Sequence, residues 1–307
     1  MDRPFRKFKN DLIYVCVRIL LLGLKVLPLW FAARLGRMLG ALLFRLAGGE
    51  RRKTLRNIRT AFPAGLSEEQ VKGLGLAVWT RLGQTVFETA RWLGRPREKI
   101  TAQTARILGW EHLERALSKK KGAFIVTAHL GNWELLGGTL SSRHPISAVA
   151  QKLYDPRFDR IVTDFREKSL QVSMIKRGMA LRGILEALRE NRLVMVLCDQ
   201  DTGKDGLFVP FFGKAAWTQS GTARVALKTG TPLVPAFMVR GTDGRFELRV
   251  EPEISPVSTG DLEKDVLEIT RRYTEVIEAY VRAYPDQWAW MHERWKTRPP
   301  GEAAASR

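Results

Sequence analysis

His129 and Glu134 stand with four residues between them in the run Thr127-Ala128-His129-Leu130-Gly131-Asn132-Trp133-Glu134. A neutral imidazole backed by a carboxylate is a general base that can take a proton from an alcohol and make it a nucleophile. Phe124-Ile125-Val126 reads as a short buried strand, and Gly131-Asn132 as a turn capping the helix that follows. This predicts His129 at the carboxyl end of a strand and Glu134 in the first turn of a helix. Open α/β sheets place their ligands at that edge. The competing reading is a surface histidine near an unrelated glutamate. Strand, turn and carboxylate in one block weigh against it.

The elements that must carry this block can be read from hydrophobic patterning. Candidate strands are Ala123–Thr127, Ile146–Ala150, Val172–Ile175, Leu193–Leu197, Leu233–Val239 and Phe246–Val250. Helical patterns lie among them at Trp133–Ser141, Phe158–Ser169, Leu181–Glu190 and Thr222–Lys228. The alternation predicts an α/β fold with a mixed, largely parallel central sheet flanked by helices. Upstream, the pattern is helical and basic to Phe62-Pro63, and Ser67 with Gln70 forms a capping box opening a long helix to about Trp92. Asp261 to Ala283 is a further amphipathic helix stopped before Pro285. The expected organisation is an anchor and basic helical segment over 1–62, a catalytic domain with a helical annex over 63–298, and a disordered tail over 299–307.

Other chemistry-bearing residues gather around these elements. Arg157, Arg160, Arg166, Lys168, Lys176 and Arg177 form a basic run, mostly a solvated face, from which one arginine could stabilise an oxyanion or clamp a phosphate. Cys198-Asp199-Gln200-Asp201 follows an apolar strand, so its polar groups are predicted at the same carboxyl edge as His129. Val209-Pro210-Phe211-Phe212-Gly213-Lys214 reads as an apolar loop, either a wall for a hydrocarbon chain or a segment folded onto the core. The tryptophans and cations of 287–296 suit an interfacial belt or packing against the sheet. No histidine or carboxylate cluster has metal-ligand spacing.

A net charge of +19 calls for an anionic partner: nucleic acid, an anionic membrane or a phosphorylated substrate. The amino terminus favours the membrane. Leu12 to Ala33 is a 22-residue apolar stretch interrupted by Arg18 and Lys25. Its apolar residues contribute about −0.3 to −0.6 kcal/mol each and each central charge about +2.5 to +3.5, so insertion is nearly balanced. Asp11, Arg18 and Lys25 recur every seven residues and share a helix face. Basic clusters flank the stretch: Arg3, Arg6, Lys7 and Lys9 before it, Arg34, Arg37 and Arg45 after. An anchor lying in the interface, a span packed on protein and a plain span all fit, with a buried core helix as the alternative. Cys16 and Cys198 are distant from one another in apolar contexts, which points to packing in a reducing compartment.

Together these motifs resemble the bacterial lipid A biosynthesis acyltransferases, within the wider lysophospholipid acyltransferase superfamily. The matching pieces are Asn57 with Phe62-Pro63, His112-Leu113-Glu114, the His129–Glu134 block, Asp199-Gln200, Val209-Pro210-Phe211-Phe212-Gly213 and Trp290-Met291-His292-Glu293-Arg294. The resemblance implies transfer of a fatty acyl chain from a thioester on acyl carrier protein or coenzyme A to a glycolipid hydroxyl. It implies the cytoplasmic face of the inner membrane, with anionic lipids and a lipid A precursor as partners and no cofactor. By the family pattern His129 deprotonates the acceptor, Glu134 orients and charge-stabilises that histidine, and the alkoxide attacks directly without an acyl-enzyme. Arg166 is then the oxyanion or positioning group and Asp199 closes the constellation. Asn132, Gln200, Phe211, Phe212 and Gly213 are expected to bind substrate. Glycerol-phosphate acyltransferases usually carry Asp at the last place of the block and a Pro-Glu-Gly loop, so Glu134 and the Phe-Phe-Gly loop favour the lipid A branch. Acyltransferases of inositol mannosides share much of the pattern.

Three other classes compete. A nucleic-acid-binding protein would explain the charge, but zinc-finger spacing, RNP-type strands and basic-helix repeats are all missing. A serine lipid hydrolase lacks its Gly-x-Ser-x-Gly elbow. A catalytically dead lipid-binding scaffold is compatible with the sequence.

Overall fold

The computed structural model describes residues 3–63, 65–150, 153–176, 180–203, 205–256 and 258–301, with the backbone alone for 3–7 and 176. Arg177, the side chains of Arg3, Arg6, Lys7 and Lys176, and residues 302–307 of the expected tail lie outside the described residues.

Helices α1 (Arg3–Val26), α2 (Leu29–Leu46), α3 (Gly48–Ala61) and α4 (Glu68–Trp92) come first. The apolar stretch at 12–33 is therefore two helices, because Pro28 has no N–H to donate and disfavours helix at Leu27 before it. No helix among the described residues is long and apolar enough to cross a membrane. Instead α2 lies against α4 at very close range. A Cβ on Gly36 would stand 2.4 Å from the Gly83 carbonyl oxygen, and one on Gly40 would stand 2.2 Å from that of Trp79. The capping box at α4 forms as expected, with Gln70 N–H donating to Ser67 Oγ and Ser67 N–H donating to Gln70 Oε1.

After α5 (Arg97–Thr101) come β1 (Thr104–Leu108), α6 (Trp110–Ser118), β2 (Ala123–Thr127), α7 (Trp133–Ser141), β3 (Ile146–Ala150) and α8 (Pro156–Asp164). A single π-helical turn (Phe165–Ser169) extends α8, followed by β4 (Ser173–Lys176), α9 (Ala180–Arg189) and β5 (Leu193–Leu197). The hairpin β6 (Gly206–Phe211) and β7 (Lys214–Gln219), α10 (Gly221–Thr229), β8 (Leu233–Arg240), β9 (Phe246–Val250), α11 (Leu262–Ala283) and a 3-10 turn (Pro285–Gln287) complete the described elements. The large sheet runs β1-β9-β8-β2-β5-β3-β4. Strands β8, β2, β5, β3 and β4 are mutually parallel, while β9 is antiparallel to β8. The fold is thus mixed α/β around a largely parallel sheet, as the alternation of elements predicts.

The two faces of β2 show why. Ile125 packs with Leu135, Leu136 and Leu140 of α7, whereas Phe124 and Val126 pack with helices α9, α10 and α11. A strand buried on both faces carries a continuous apolar run rather than an alternating one. Chain leaving β2 therefore passes to one face and chain leaving β5 to the other. The crevice between their carboxyl ends is the position at which such sheets bind ligands.

Two elements depart from expectation. Among the described residues, edge strand β1, which the hydrophobic patterning does not single out, pairs only with β9. The expected apolar loop at 209–214 is the turn of the β6–β7 hairpin, with Phe211 opposite Lys214 and both Phe212 (φ 52°) and Gly213 (φ 72°) left-handed. A phenylalanine in that conformation is disfavoured by about 1–2 kcal/mol, which hides the hairpin from a sequence reading. Here Phe212 is buried against Phe62 and Trp290, and its N–H donates to Glu278. Of the two readings open for 287–296, the tryptophans at 288 and 290 follow the packing one, as core residues rather than an interfacial belt.

A buried ion pair joins the helical annex to the sheet: Glu88 of α4 meets Arg240 at the end of β8, each side chain 6% exposed. Glu88→Ala is expected to cost about 3–5 kcal/mol, because it strands a buried guanidinium. The urea midpoint measures that loss.

Candidate active site

In the parallel register of β2 on β5, Ala123 faces Leu193 and Thr127 faces Leu197. Two residues beyond each strand end come His129 and Asp199, so the same register brings them together. Their side chains meet with Nδ1 2.9 Å from Asp199 Oδ1. Asp199 Oδ2 accepts from the His129 backbone N–H at 2.9 Å and from Trp288 Nε1–H at 2.8 Å. Burial raises the pKa of a carboxyl, but the imidazole charge and these donors outweigh it and hold Asp199 at about 2. Asp199 is ionised at neutral pH and fully enclosed, while His129 keeps 24% of its side chain exposed. With Nδ1–H donating to Asp199, Nε2 is the basic nitrogen.

The loop that presents His129 is pinned by backbone pairing. Ala289 N–H donates to the His129 carbonyl, Gly131 N–H to the Gln287 carbonyl, and Asn132 N–H to the Met238 carbonyl. Gly131 has φ 64°, and a Cβ there would lie 1.9 Å from the Met238 oxygen. Gly131→Ala is therefore expected to cost more than about 2 kcal/mol, read as a fall in melting temperature.

Glu134 does not stand behind His129. Its carboxylate is gripped by Arg166, with Nε 3.0 Å from Oε2 and Nη2 2.6 Å from Oε1. Glu134 lies in the first turn of α7, where the helix dipole favours an anion. Arg166 projects from the π-helical turn, a local widening that recurs at functional sites. Burial disfavours its charge, yet the Glu134 carboxylate raises its pKa overall. The sequence expectation that Glu134 orients His129 is corrected on this geometry: the carboxylate on the imidazole belongs to Asp199.

Gln200 joins the site, its amide nitrogen 3.3 Å from His129 Nε2 and 2.6 Å from His292 Nε2. Burial and the neighbouring His129 lower the pKa of His292, which keeps it neutral. Asn57 Nδ2 donates to the carbonyls of Trp290 (2.7 Å) and His292 (2.6 Å), tying α3 to this segment. Trp133 packs edge-on against the His129 ring at 5.2 Å. His292 and Trp288 are the residues that sequence reasoning left out of the site. The Trp-Met-His-Glu-Arg run held the available signal, in a histidine among aromatics.

Other expected substrate contacts lie elsewhere. Asn132 is wholly buried, its side-chain oxygen accepting from Leu135 N–H as the cap of α7 and its amide reaching Thr89 at 3.4 Å. Phe211 and Phe212 are buried among Trp288, Trp290 and Trp295, so they do not form an open wall for a hydrocarbon chain. Arg160 is solvent-exposed, and Arg157 pairs with Asp11 and Asp155, locking α8 onto α1. Lys168 pairs with Asp164. Cys198 is buried, which pushes its thiol up to about 12 and leaves it unreactive.

A histidine held by a buried carboxylate, with a bidentate Arg–Glu pair on the adjoining helix start, is equipped for proton abstraction and for stabilising a developing anion. Comparison with known proteins gives the family. Residues 3–297 match the profile of the bacterial lipid A biosynthesis acyltransferases. The chain belongs to this family. It is an acyltransferase. It is 29% identical over 306 residues to the lipid A biosynthesis lauroyltransferase of Escherichia coli, covering 96% of this chain and 97% of that one. It is 27% identical over 310 residues to the lipid A biosynthesis palmitoleoyltransferase of the same organism, covering 98% of each chain. It is also 27% identical over 249 residues to a phosphatidylinositol mannoside acyltransferase of Mycolicibacterium smegmatis, covering 80% of this chain and 78% of that one.

Proposed function

We propose that this acyltransferase moves a fatty acyl chain from a thioester, on acyl carrier protein or coenzyme A, to a hydroxyl of a lipid A precursor in lipopolysaccharide biosynthesis. The observation that carries the reading is His129, held by ionised Asp199 at the sheet's carboxyl edge, in a chain of this family. His129 Nε2 takes the proton of the acceptor hydroxyl as its oxygen attacks the thioester carbonyl. The carbon–sulfur bond breaks, the thiolate leaves and takes up a proton, and an ester remains. Arg166 and Glu134 complete the site. Arg166 Nη1 makes no hydrogen bond among the described residues and supplies charge for the developing oxyanion. Gln200 steadies the imidazole. The thioester serves as co-substrate and no cofactor takes part.

Work at the cytoplasmic face of the inner membrane is supported by α1 and α2. Leu12, Ile19, Trp30 and Met38 are exposed there beside exposed Lys9, Arg18 and Arg34, a pattern suited to lying in an anionic interface. A phosphatidylinositol mannoside as acceptor is the second reading, favoured by the mycobacterial relative.

The test incubates the purified protein with each donor and each acceptor and follows the products by mass spectrometry. An added acyl mass on the lipid A precursor, and its loss from the glycolipid of cells lacking the gene, is the expected result. An ester on the mannoside alone would install the second reading, and no ester on either would overturn both.

A further inference from the structure

A cavity of about 1160 Å³ opens beside the catalytic cleft, walled by α2, α4 and the β8–β9 turn. Its floor is Arg240, paired with Glu88 and stacked 4.0 Å over the Phe246 ring. Among the described residues, Arg240 Nε is buried without a hydrogen-bond partner. The rim carries Arg34 and Arg37 of α2 and Arg245 of the turn. All three are exposed, and none makes an ion pair among the described residues. Glu88 balances Arg240, so three uncompensated guanidinium charges face one cavity. Burial depresses the Arg240 pKa in spite of Glu88, and the like charges of Arg81 and Arg37 add to it.

The cavity is two-sided in chemistry. Trp92 gives it an apolar wall, and at its mouth Trp30 (65% exposed) and Met38 (66% exposed) continue onto the open apolar surface of α2. We propose that this cavity is a phosphate-ester site for an amphiphile, with the phosphate against Arg34, Arg37 and Arg245 and the hydrocarbon leaving along Trp30 and Met38. Guanidinium forks suit a phosphate better than a single point charge would.

The site is separate from the catalytic pair yet close to it. Glu88 lines the cavity and Thr85 lines the cleft beside His129, about 4.5 Å apart along the axis of α4. Arg240 also exchanges backbone hydrogen bonds with the Gln287 side chain, and Gln287 holds the His129 loop. On the acyl-transfer reading, the phosphate-bearing amphiphile is the acceptor. Binding itself does not depend on that reading.

Isothermal titration of the full chain tests the site with four probes: dihexanoyl phosphatidic acid, dihexanoylglycerol, coenzyme A and inorganic phosphate. Dihexanoyl phosphatidic acid is expected to bind best, and to bind at least about tenfold more weakly to the Arg37→Gln/Arg245→Gln protein. Both residues are exposed, so melting temperature should be unchanged. His129→Ala should bind like the parent. Equal binding of dihexanoylglycerol, unaltered affinity in the double variant, or loss of binding in His129→Ala would overturn the site. Tighter binding of coenzyme A, lost in the same variant, would overturn the amphiphile and give the phosphate to the donor. Inorganic phosphate matching phosphatidic acid would likewise remove the lipid. Charge-dependent lipid binding by a protein that transfers no acyl chain would sink the proposed function and leave this site standing.

Discussion

Replacing His129 with alanine is expected to lower kcat for acyl transfer by about 10²–10⁴-fold, the range that a positioned general base supplies. The fold should survive the change. Asp199 keeps two of its donors, the backbone N–H of residue 129 and Trp288 Nε1–H, and the loop keeps its pairing to Gln287 and Ala289. The removed ring is partly open to solvent, so little core packing goes with it. Turnover measured beside circular dichroism and a thermal melt separates lost chemistry from lost structure. Near-parental turnover in a folded protein would end the general-base assignment.

The second large effect decides which carboxylate serves the histidine. Asp199→Asn should lower kcat by about 10³–10⁴-fold with a small change in KM, because an amide cannot anchor the Nδ1–H tautomer or steady the imidazolium. Stability should fall as well. Asp199 is held below its ordinary 3.8, at about 2, so its charge stabilises the fold above the ordinary value. That contribution is lost as pH falls through about 2, and it is worth on the order of 2 kcal/mol at neutral pH. A urea titration of the parent and Asp199→Asn at pH 7 should show the gap.

A double-mutant cycle separates the two acids. In a His129→Ala background, Asp199→Asn should cost little more activity, since the pair acts as one unit. Glu134→Gln should still cost, since its carboxylate works by holding Arg166 at the other side of the site. The reverse pattern, with Glu134 coupled to His129 and Asp199 independent, would restore the pairing that the His-x4-Glu spacing suggests.

That spacing illustrates how far sequence reaches. The strand before His129, the turn at Gly131, the cap at Asn132 and the helix carrying Glu134 were all legible, because each depends on local periodicity and on one or two backbone angles. The same holds for the Ser67–Gln70 capping box and for the chain of strands and helices that makes a largely parallel sheet. Phe211 and Phe212 were harder. Their motif was visible, but its hairpin needs a left-handed phenylalanine that only burial against Trp290 and Phe62 can offset. The long apolar run at the amino terminus was also visible. Its break is local to Pro28, but the fold of α2 back onto α4 depends on Gly36, Gly40 and Gly83 meeting at close range, a fit between segments far apart in the chain.

By itself, then, the sequence determined that a histidine is delivered to the carboxyl edge of a sheet, with polar groups from a second strand at the same edge. Only the tertiary structure decided which acid the histidine meets. Residues five apart in a block need not touch when a turn and a helix start separate them. Residues 70 apart must touch when parallel strands in register end side by side. The enclosure of Asp199 beneath Trp288 then sets its charge, and desolvation of that kind comes from packing, which no local pattern encodes.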